Sequence, residues 1–325
     1  MLAMEILELL DHIHGTVSVV GSMNADYTVT TNRLPKPGET VPGGPLRILP
    51  GGKSGNQAAA AALIGADVAM FGAVGDDINA DFLIESLSKA GVDTRHILHA
   101  SGASGTTVIT VDEMGENTIV YSEGANARIT TEYIASMHRD ITAADVLGLC
   151  LESPLEVVTA AARICHESGK MVLLNNSPSM PVLPKELVEN ADILLINAHE
   201  LSHLLAIPEP PEDDWINLDW SDIAIRLQEI GFNQSIVTLG GRGSMVLDTI
   251  CTDSSIARID PVPVTATDTT GCGDAFMGTV LAGLASGYDL KQSAQIASYV
   301  SAYAATGSGA QSSYGNARQI KNFYR

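Results

Sequence analysis

The sequence is short of positive charge: its 325 residues contain 18 Lys and Arg against 38 Asp and Glu, a net charge of −20. Binding to nucleic acid or to an anionic membrane surface requires a basic face, so we expect neither partner. A bound nucleotide would need local positive potential from backbone amides, the few basic side chains and metal ions. Aromatic residues are also scarce at 5%, whereas Gly occurs 30 times. This composition favours small-residue helices packed closely against a sheet.

Cysteines and long apolar runs are scarce too. The four cysteines form no C-x-x-C pair and show no metal-ligand spacing: Cys150, Cys165, Cys251 and Cys272. Free thiols in a reducing cytoplasm are the expected state. No apolar run reaches the ~20 residues that span a bilayer. Residues 1–11 lack the basic stretch of a signal peptide and contain three acidic residues, so they predict a short amphipathic helix.

Short apolar strands alternate with helices along most of the chain. The predicted strands are 16–21, 67–72, 145–151, 171–175, 193–197 and 235–239, followed by a hairpin-like stretch at 245–264. The predicted helices are 56–64, 81–90, 155–167, 187–189, 223–230, 274–286 and 290–306. Alternation over this length predicts an α/β fold in which a central, mostly parallel sheet is flanked by helices on both faces.

Two turn-rich segments, 27–50 and 104–122, interrupt this alternation. We expect them to form a small β-sheet lid over the carboxyl ends of the large sheet, where ligands of open α/β sheets bind. The predicted organisation is therefore an N-terminal extension at 1–15 and a single domain at 16–325. The acidic, proline-rich segment 207–221 is predicted to be a solvated surface loop.

The segment 268–276, DTTGCGDAF, places a glycine turn directly before an apolar helix. The start of a helix presents unpaired N–H groups and the positive end of the helix dipole, which suits an anion. Gly271 and Gly273 let this backbone approach a phosphate closely. Asp274 is placed to accept a proton from a hydroxyl beside it, so the segment has the parts needed to phosphorylate an alcohol. An ordinary turn with Asp274 as a helix cap is the alternative.

Two common nucleotide-binding motifs are excluded. The run Gly52-Lys53-Ser54 ends like a Walker A loop, but Arg47 stands where that loop requires its first glycine. The glycines at 271 and 273 do not complete a dinucleotide-binding motif either, because Phe276 replaces the third glycine. Neither a P-loop NTPase nor a nicotinamide dehydrogenase is predicted.

Several polar side chains are suited to binding a polyol. Asn24 and Asp26 follow the first strand two residues apart, so an extended chain keeps them on one face. A Gly-Gly turn leads into a helix and can place Lys53 and Asn56 against the same ligand. Glu152 ends another strand, and amides and carboxylates match the donors and acceptors of vicinal diols. For any one of these residues taken alone, a role as a turn former or a cap is the favoured interpretation.

A second group of residues is suited to a nucleotide. Asn197 and Glu200 follow a buried strand and are three residues apart, so both can project from a helical turn toward a metal-bound phosphate. Glutamate would act there through water, because Mg²⁺ dehydrates reluctantly. The glycine turn 240–243, directly after Thr238 and Leu239, suits close backbone approach by a nucleotide.

Taken together and in this order, these motifs resemble the ribokinase-like (pfkB) carbohydrate kinase family over residues 21–313, nearly the whole chain. The matching pieces are GSMNAD (21–26), PGET (37–40), GGKSGNQ (51–57), GDD (75–77), GANA (124–127), LESP (151–154), N-x-x-E (197–200), D-T-x-G-x-G-D (268–274) and GAQ (309–311). The resemblance implies the three-layer fold with its lid. It also implies transfer of the γ-phosphoryl group of ATP to a furanose hydroxyl, with D-ribose phosphorylated at O5.

The same resemblance implies a role for individual residues. Asp274 would be the general base, and the amides of Gly271, Cys272 and Gly273 would form the anion hole. The sugar would be held, with Asp274, by Asn24, Asp26, Gly52, Lys53, Asn56 and Glu152. ATP and Mg²⁺ would be held by Asn197, Glu200, Thr238, Gly240 and Gly243. A monovalent cation, usually K⁺, would bind at Asp268, Thr270, Ala304, Gly307, Gly309 and Ser313, and a homodimer would form through the lid.

The chain departs from the family pattern at Cys272, where Ala is usual. The amide is kept, but an accessible thiolate would make activity sensitive to oxidation. One alternative keeps the chemistry and changes the acceptor to another pentose such as deoxyribose, a ketose or a nucleoside, because small pocket differences decide such preferences. The least favoured alternative is a non-catalytic sugar-binding regulator on the same fold, since Asp274, Asn197 and Glu200 are intact.

Overall fold

Among residues 3–250 and 255–325, which the computed structural model describes, the elements are as follows. In chain order, the strands are β1 (Thr16–Val20), β2 (Asn24–Thr30), β3 (Arg47–Gly51), β4 (Asp67–Phe71), β5 (Ala73–Val74), β6 (Leu98–His99), β7 (Gly105–Val111), β8 (Asn117–Ser122), β9 (Val146–Leu149), β10 (Met171–Asn175), β11 (Ile193–Asn197), β12 (Gln234–Thr238), β13 (Ser244–Asp248) and β14 (Ser255–Ile259). The α-helices are α1 (Ala3–Leu9), α2 (Lys53–Leu63), α3 (Ile78–Ala90), α4 (Thr131–Ser136), α5 (His138–Ile141), α6 (Leu155–Glu167), α7 (Lys185–Glu189), α8 (Ala198–Leu205), α9 (Trp220–Ile230), α10 (Cys272–Ala285), α11 (Leu290–Ala304) and α12 (Ala317–Phe323).

Eight of these strands form a large sheet in the order β14-β13-β12-β11-β10-β9-β1-β4. The six neighbouring strands β4, β1, β9, β10, β11 and β12 are parallel to one another, and β13 and β14 add an antiparallel edge. Parallel neighbours bring their carboxyl ends to one edge of the sheet, and in the register of β11 and β12 Asn197 lies opposite Thr238. The predicted mostly parallel α/β sheet is therefore confirmed, as is the hairpin predicted near its end.

The strands of the large sheet are almost continuously apolar because helices cover both faces. On β1, Val17 and Val19 belong to the core that α2, α10 and α11 complete, whereas Val20 belongs to the core on the opposite face. On neighbouring β9, all four residues are buried. The side chains alternate between the two helical layers, as the period of a strand requires.

Close packing of α2 on α10 fixes the geometry of one end of the molecule. The small residues at 58–61 of α2 are all buried. A Cβ atom at Gly278 of α10 would lie only 2.3 Å from the carbonyl oxygen of Gln57 and 2.9 Å from the Cβ of Ala60. The two helices can approach this closely because neither carries a large side chain at the contact. Their N-terminal turns are thereby held side by side.

Four strands form the separate small sheet, in the order β3-β2-β7-β8. The pair β2–β7 is parallel and the other two pairs are antiparallel. The predicted lid is thus confirmed as a sheet. Its first strand begins at Asn24, three residues earlier than predicted, so Asn24 and Asp26 lie on the lid itself.

Several predicted boundaries shift for tertiary reasons. The helix predicted at 56–64 begins at Lys53, because the Lys53 amide donates to Oε2 of Glu152 at 3.0 Å and so replaces a local cap. The N-terminal extension forms α1, and Leu7 and Leu10 pack into the core with α11. Its Asp11 also pairs with Lys321 of α12.

The prediction of a solvated surface loop at 207–221 is wrong in one respect. Trp215 and Trp220, the latter the first residue of α9, are buried in the core at 3% and 6% exposure. An indole buries a large apolar area, which anchors an otherwise acidic and exposed segment. Among the described residues, none of the helices combines the length and apolar character needed to cross a bilayer.

Candidate active site

Asp274 lies in the first turn of α10, beside the first turn of α2. Its Oδ2 accepts a hydrogen bond from Asn56 Nδ2 at 2.9 Å, and its Oδ1 accepts one from Gln57 Nε2 at 3.1 Å. The N-cap of α10 is Gly271, and no side chain caps this helix. The carboxylate of Asp274 therefore faces α2 and does not cap its own helix, which removes the alternative left open by the sequence.

The electrostatic surroundings of Asp274 suit a proton acceptor. Desolvation by the surrounding protein raises its pKa from 3.8 to about 6, and Glu152 adds to this effect. The positive charge of Lys53 and the bonds from Asn56 and Gln57 oppose it. A carboxylate with a pKa near 6 is mostly ionised at neutral pH yet more basic than an ordinary aspartate, which is the range that general-base catalysis favours.

The backbone before Asp274 has room for an anion. Gly271 has a left-handed φ of 74°, and a Cβ there would collide with Ala310 and Tyr314. Within the described residues, the amide of Gly273 has no hydrogen-bond acceptor, and a Cβ at Gly273 would meet no atom within 4 Å. The amide of Cys272 differs, because it donates to the carbonyl oxygen of Thr269 at 3.2 Å. Of the three amides predicted to form the anion hole, that of Cys272 is therefore already engaged in a hydrogen bond.

The predicted sugar-binding residues converge on this point from the lid and from α2. Asp26 has a pKa raised to about 6 by burial, with a hydrogen bond from Thr107 opposing the shift and the charges of Glu152 and Asp274 adding to it. The Asp26 carboxylate lies so close to Gly51 that a Cβ there would be 2.0 Å from its Oδ2. Three carboxylates thus face one space.

Lys53 supplies the positive charge among these carboxylates. Burial alone would lower the pKa of Lys53, but the charges of Asp274 and Glu152 outweigh burial and raise it. Glu152 is itself oriented by two donors, Ser22 Oγ at 2.6 Å and the Lys53 amide at 3.0 Å. Gly52 precedes Lys53 with φ of 85°, and a Cβ there would lie 2.7 Å from Met23 Cα. Only glycine permits this close turn.

Asn24 is held by a residue that the sequence analysis did not assign. Asn126 is fully buried, accepts from the Met23 amide at 3.0 Å through its Oδ1, and donates through Nδ2 to Asn24 Oδ1 at 2.7 Å. The oxygen of the Asn24 amide is therefore engaged, which leaves its NH₂ group to face a ligand. The GANA motif at 124–127 was the only sequence signal for this contact.

The predicted nucleotide residues lie at the carboxyl ends of β11 and β12. Asn197 and Glu200 form a capping box, in which Asn197 Oδ1 accepts from the Glu200 amide at 2.9 Å and Glu200 Oε2 accepts from the Asn197 amide at 2.8 Å. Thr238 is the neighbour of Asn197 in the sheet. Gly240 begins a short turn. Gly243 has φ of 94°, and a Cβ atom added to it would lie 2.1 Å from the carbonyl oxygen of Ile259. The N-x-x-E pattern thus has a structural role in starting α8.

The predicted cation-binding residues form two adjoining loops joined by Asp268. Its Oδ1 accepts from the Thr270 amide at 2.9 Å, and its Oδ2 accepts from the Gly309 amide at 2.8 Å. A Cβ at Gly307 would lie 2.6 Å from the Cβ of Ser313, so these two residues are in contact. The sixth residue, Ala304, ends α11 and accepts from the Gly307 amide at 3.1 Å.

The chain is similar to known proteins over nearly its whole length. Residues 15–316 match the model of the pfkB family carbohydrate kinases. The chain belongs to the pfkB family of carbohydrate kinases. The predicted enzyme class, a phosphotransferase acting on a sugar, is therefore confirmed.

Individual members of this family are similar over almost their whole length. A ribokinase of Schizosaccharomyces pombe is 35% identical over 305 residues, covering 91% of this chain and 94% of the relative. A deoxyribokinase of Salmonella typhi is 32% identical, covering 94% and 98%. The structure of Arabidopsis thaliana ribokinase complexed with ribose and ATP superposes with a TM-score of 0.83 at 25% identity, covering 96% and 99%.

This member of the pfkB family has three free thiols within its described residues, at Cys150, Cys165 and Cys272, whereas Cys251 lies outside those residues. Desolvation raises the pKa of Cys272 to about 11, and the charges of Asp268 and Asp274 add to that. The thiol is therefore protonated at neutral pH. The condition for oxidation sensitivity, an accessible thiolate, is not met.

Proposed function

We propose that the protein transfers the γ-phosphoryl group of ATP to O5 of D-ribose, giving D-ribose 5-phosphate. The observation that carries this proposal is the carboxylate of Asp274, with its pKa near 6, between two amide donors and beside the open amide of Gly273. A ribokinase among the relatives and the ribose and ATP of the Arabidopsis structure support the choice of both substrates.

The sugar would be bound between the lid and the N-terminus of α2. Asn24 would offer its NH₂ group to a hydroxyl oxygen, while Asp26 and Glu152 would accept from hydroxyl protons. Lys53 would neutralise part of this negative charge and donate to the sugar. Fixed donors and acceptors of this kind orient the acceptor hydroxyl for attack and so lower the entropic part of the barrier.

Asp274 would take the proton of the O5 hydroxyl as that oxygen attacks the phosphorus atom. The amides of Gly271 and Gly273, with the dipole of the 14-residue helix α10, would stabilise the charge that develops on the transferred group. The bond from phosphorus to the β–γ bridging oxygen breaks as the new bond to O5 forms, which leaves ADP and the sugar phosphate.

The residues present are compatible with Mg²⁺ and K⁺. Within residues 3–250 and 255–325, His, Cys, Asp and Glu side chains form no group of three or more that could hold a metal. Mg²⁺ would therefore be held through phosphates and water near Asn197 and Glu200, where it would neutralise phosphate charge. Asp268 and backbone carbonyls of the adjoining loops offer the oxygen ligands that suit K⁺.

Phosphorylation of 2-deoxy-D-ribose is the second candidate. A relative 32% identical to this chain is a deoxyribokinase, so the family context favours this sugar among the alternatives. The two substrates differ in a single hydroxyl. A site whose buried polar groups bind that hydroxyl discriminates strongly against the sugar that lacks it.

A coupled assay of ATP consumption with pentoses, hexoses and nucleosides, with and without K⁺, tests the proposal. We expect D-ribose to give the highest kcat/KM, about tenfold or more above 2-deoxy-D-ribose, and K⁺ to stimulate turnover. A higher kcat/KM with deoxyribose would establish the second candidate. Absence of turnover with every acceptor, in folded protein, would contradict both.

A further inference from the structure

Gln311 connects α3 to α2 through its side chain. Ser86 Oγ of α3 donates to Gln311 Oε1 at 3.1 Å, and Gln311 Nε2 donates to Asn56 Oδ1 of α2 at 3.1 Å. Asn56 Nδ2 in turn donates to Asp274 Oδ2 at 2.9 Å. All three hydrogen bonds therefore run in one direction, from the hydroxyl of Ser86 to the carboxylate of Asp274.

The direction of these bonds determines which atom of Asn56 meets Asp274. A side-chain amide has its acceptor oxygen on one side and its donor NH₂ on the other. Because Gln311 donates to the oxygen of Asn56, the NH₂ group of Asn56 is turned to Asp274. Gln311 is held in the matching orientation because its own oxygen accepts from Ser86.

We propose that Gln311 is a positioning residue that keeps the NH₂ group of Asn56, and not its carbonyl oxygen, against the carboxylate of Asp274. The proposal builds on the role of Asp274 as base in the proposed function. In the opposite orientation of Asn56, a carbonyl oxygen would face the carboxylate, and a donor to a charged group would be lost. Gln57 would still donate to Asp274 Oδ1, so the effect of losing Gln311 is partial.

Other groups around Asp274 set the level of its pKa without belonging to this chain of bonds. The charged or titratable groups that interact with it are Lys53 and Glu152, Asp26 on the lid, Cys272 on α10, and Tyr314. A neutral replacement of Gln311 leaves all of these charges unchanged. A change in the titration of Asp274 in such a variant therefore cannot come from a change in these charges.

The test is a ¹³C NMR titration of the Asp274 carboxyl in full-length protein labelled at aspartate, assigned with Asp274→Asn, at saturating K⁺ and without sugar. In Gln311→Met, which is neutral and similar in length, we expect the pKa of Asp274 to rise by about 0.5 to 1 unit. Ser86→Ala, which frees Gln311 from its donor, should give a smaller rise. Ser312→Ala is the control, since Ser312 Oγ donates to the Ser308 carbonyl oxygen and takes no part in the chain of bonds.

Gln311→Glu sharpens this test, because its carboxylate would accept from the NH₂ of Asn56 and turn the oxygen toward Asp274. A larger rise in the pKa and a kcat lowered by about tenfold at pH 6, with the KM for ATP unchanged, are expected. A rise in Gln311→Glu but not in Gln311→Met would overturn the proposal, because charge alone would then explain it.

An unchanged titration in both Gln311→Met and Ser86→Ala would overturn it too; if the former does not fold, Ser86→Ala decides. The titration needs no turnover, so an inactive wild type would contradict the proposed function and leave this inference testable.

Discussion

An edge strand of the lid and a central strand of the large sheet bury their residues in opposite ways. All four residues of β9 in the large sheet are buried, whereas all six residues of β8 in the lid are exposed. The difference follows from position, because β8 is an edge strand of the lid and β9 a central strand covered by helices on both faces. In the lid, Asp26, Thr107 and Tyr121 form one cross-strand row, and the adjacent row contains Tyr27, Val108 and Val120 with Ile48. The first row interacts with Glu152 below it, and the second leaves Val108 and Val120 half or more exposed.

This difference separates two tasks. The large sheet and its helices hold Asp274, Asn56 and Gln57 in a packed, hydrogen-bonded arrangement, which keeps a general base in a fixed position. The lid contributes Asn24 and Asp26 from β2, while its edge strand β8 is exposed along its whole length, which suits a part that selects and encloses a ligand. We define the helical floor as the first turns of α2 and α10, which carry Asn56, Gln57 and Asp274. We infer that substitutions in the helical floor change the turnover number, whereas substitutions in the lid change ligand binding, assembly and stability.

The largest effect is expected at the floor. Asp274→Asn removes the base but keeps the shape of the side chain, so turnover should fall by ~10²-fold or more while ribose binding stays largely intact. Steady-state kinetics and calorimetric binding of ribose measure the two quantities separately. Asp289→Asn is the matched control, because Asp289 caps α11 and asparagine caps equally well. Near-normal turnover in Asp274→Asn would contradict the role of Asp274.

The resemblance of the sequence to its family implies a homodimer that forms through the lid. Ile119 and Val120 project from opposite faces of β8 and are 57% and 68% exposed. An aspartate at the buried face of a dimer would lose hydration without a partner, so Ile119→Asp or Val120→Asp should weaken association by about tenfold or more. Sedimentation velocity over a concentration series measures this, with Ile225→Asp as the control, because Ile225 is an exposed side chain of α9 away from the lid. A wild-type protein that stays monomeric would exclude a dimer through the lid. A dimeric wild type with which both lid variants co-sediment unchanged would exclude it too.

Asp26 should make the stability of the lid depend on pH. Its folded-state pKa is raised from 3.8 to about 6, so its favourable contribution is present below pH 3.8 and is lost as the pH rises through 6. Asp26→Asn cannot ionise and escapes this loss. We therefore expect it to raise the free energy of unfolding by about 1 to 2 kcal/mol at pH 8 and by little at pH 4.

Chemical denaturation at the two pH values measures this difference. Asp81→Asn, on the exposed face of α3, controls for the loss of one charge. A stability gain in Asp26→Asn that is equal at pH 4 and pH 8 would show that the ionisation of Asp26 is not its cause.

The sequence predicted the base Asp274 of the helical floor, but not the residues that hold the floor in place, such as Gln57 and Gln311. The glycine turn before Asp274 and the polar ends of strands could be read locally, because parallel strands bring their carboxyl ends together. Gln57 and Gln311 were part of recognised motifs but received no role, since their partners lie 217 and 255 residues away in the chain. The burial of Trp215 and Trp220 was missed because an acidic, proline-rich composition indicates a surface loop even where two apolar side chains anchor it.

Local patterns also had more than one structural meaning. The N-x-x-E pattern predicted phosphate contacts, and the structure uses the same two side chains as a capping box for α8. The spacing is identical for both purposes, so it could not separate them. At Cys272, the sequence left the ionisation state of the thiol open because that state depends on desolvation, which only the folded chain determines.

The smallest effect is expected at Cys272, where the floor departs from the family pattern. Its side chain has a pKa near 11, and its amide is already bonded to Thr269, so Cys272→Ala removes neither a reactive thiolate nor an anion-hole donor. We expect kcat to change by less than about threefold. A thiol with a pKa near 11 is almost entirely protonated at pH 7.5, so alkylation by iodoacetamide should be slow. Mass spectrometry and the coupled assay measure labelling of Cys272 and turnover. Rapid labelling with a parallel loss of turnover would show that the helical floor opens in solution, and it would contradict the rigid floor inferred from the comparison with the lid.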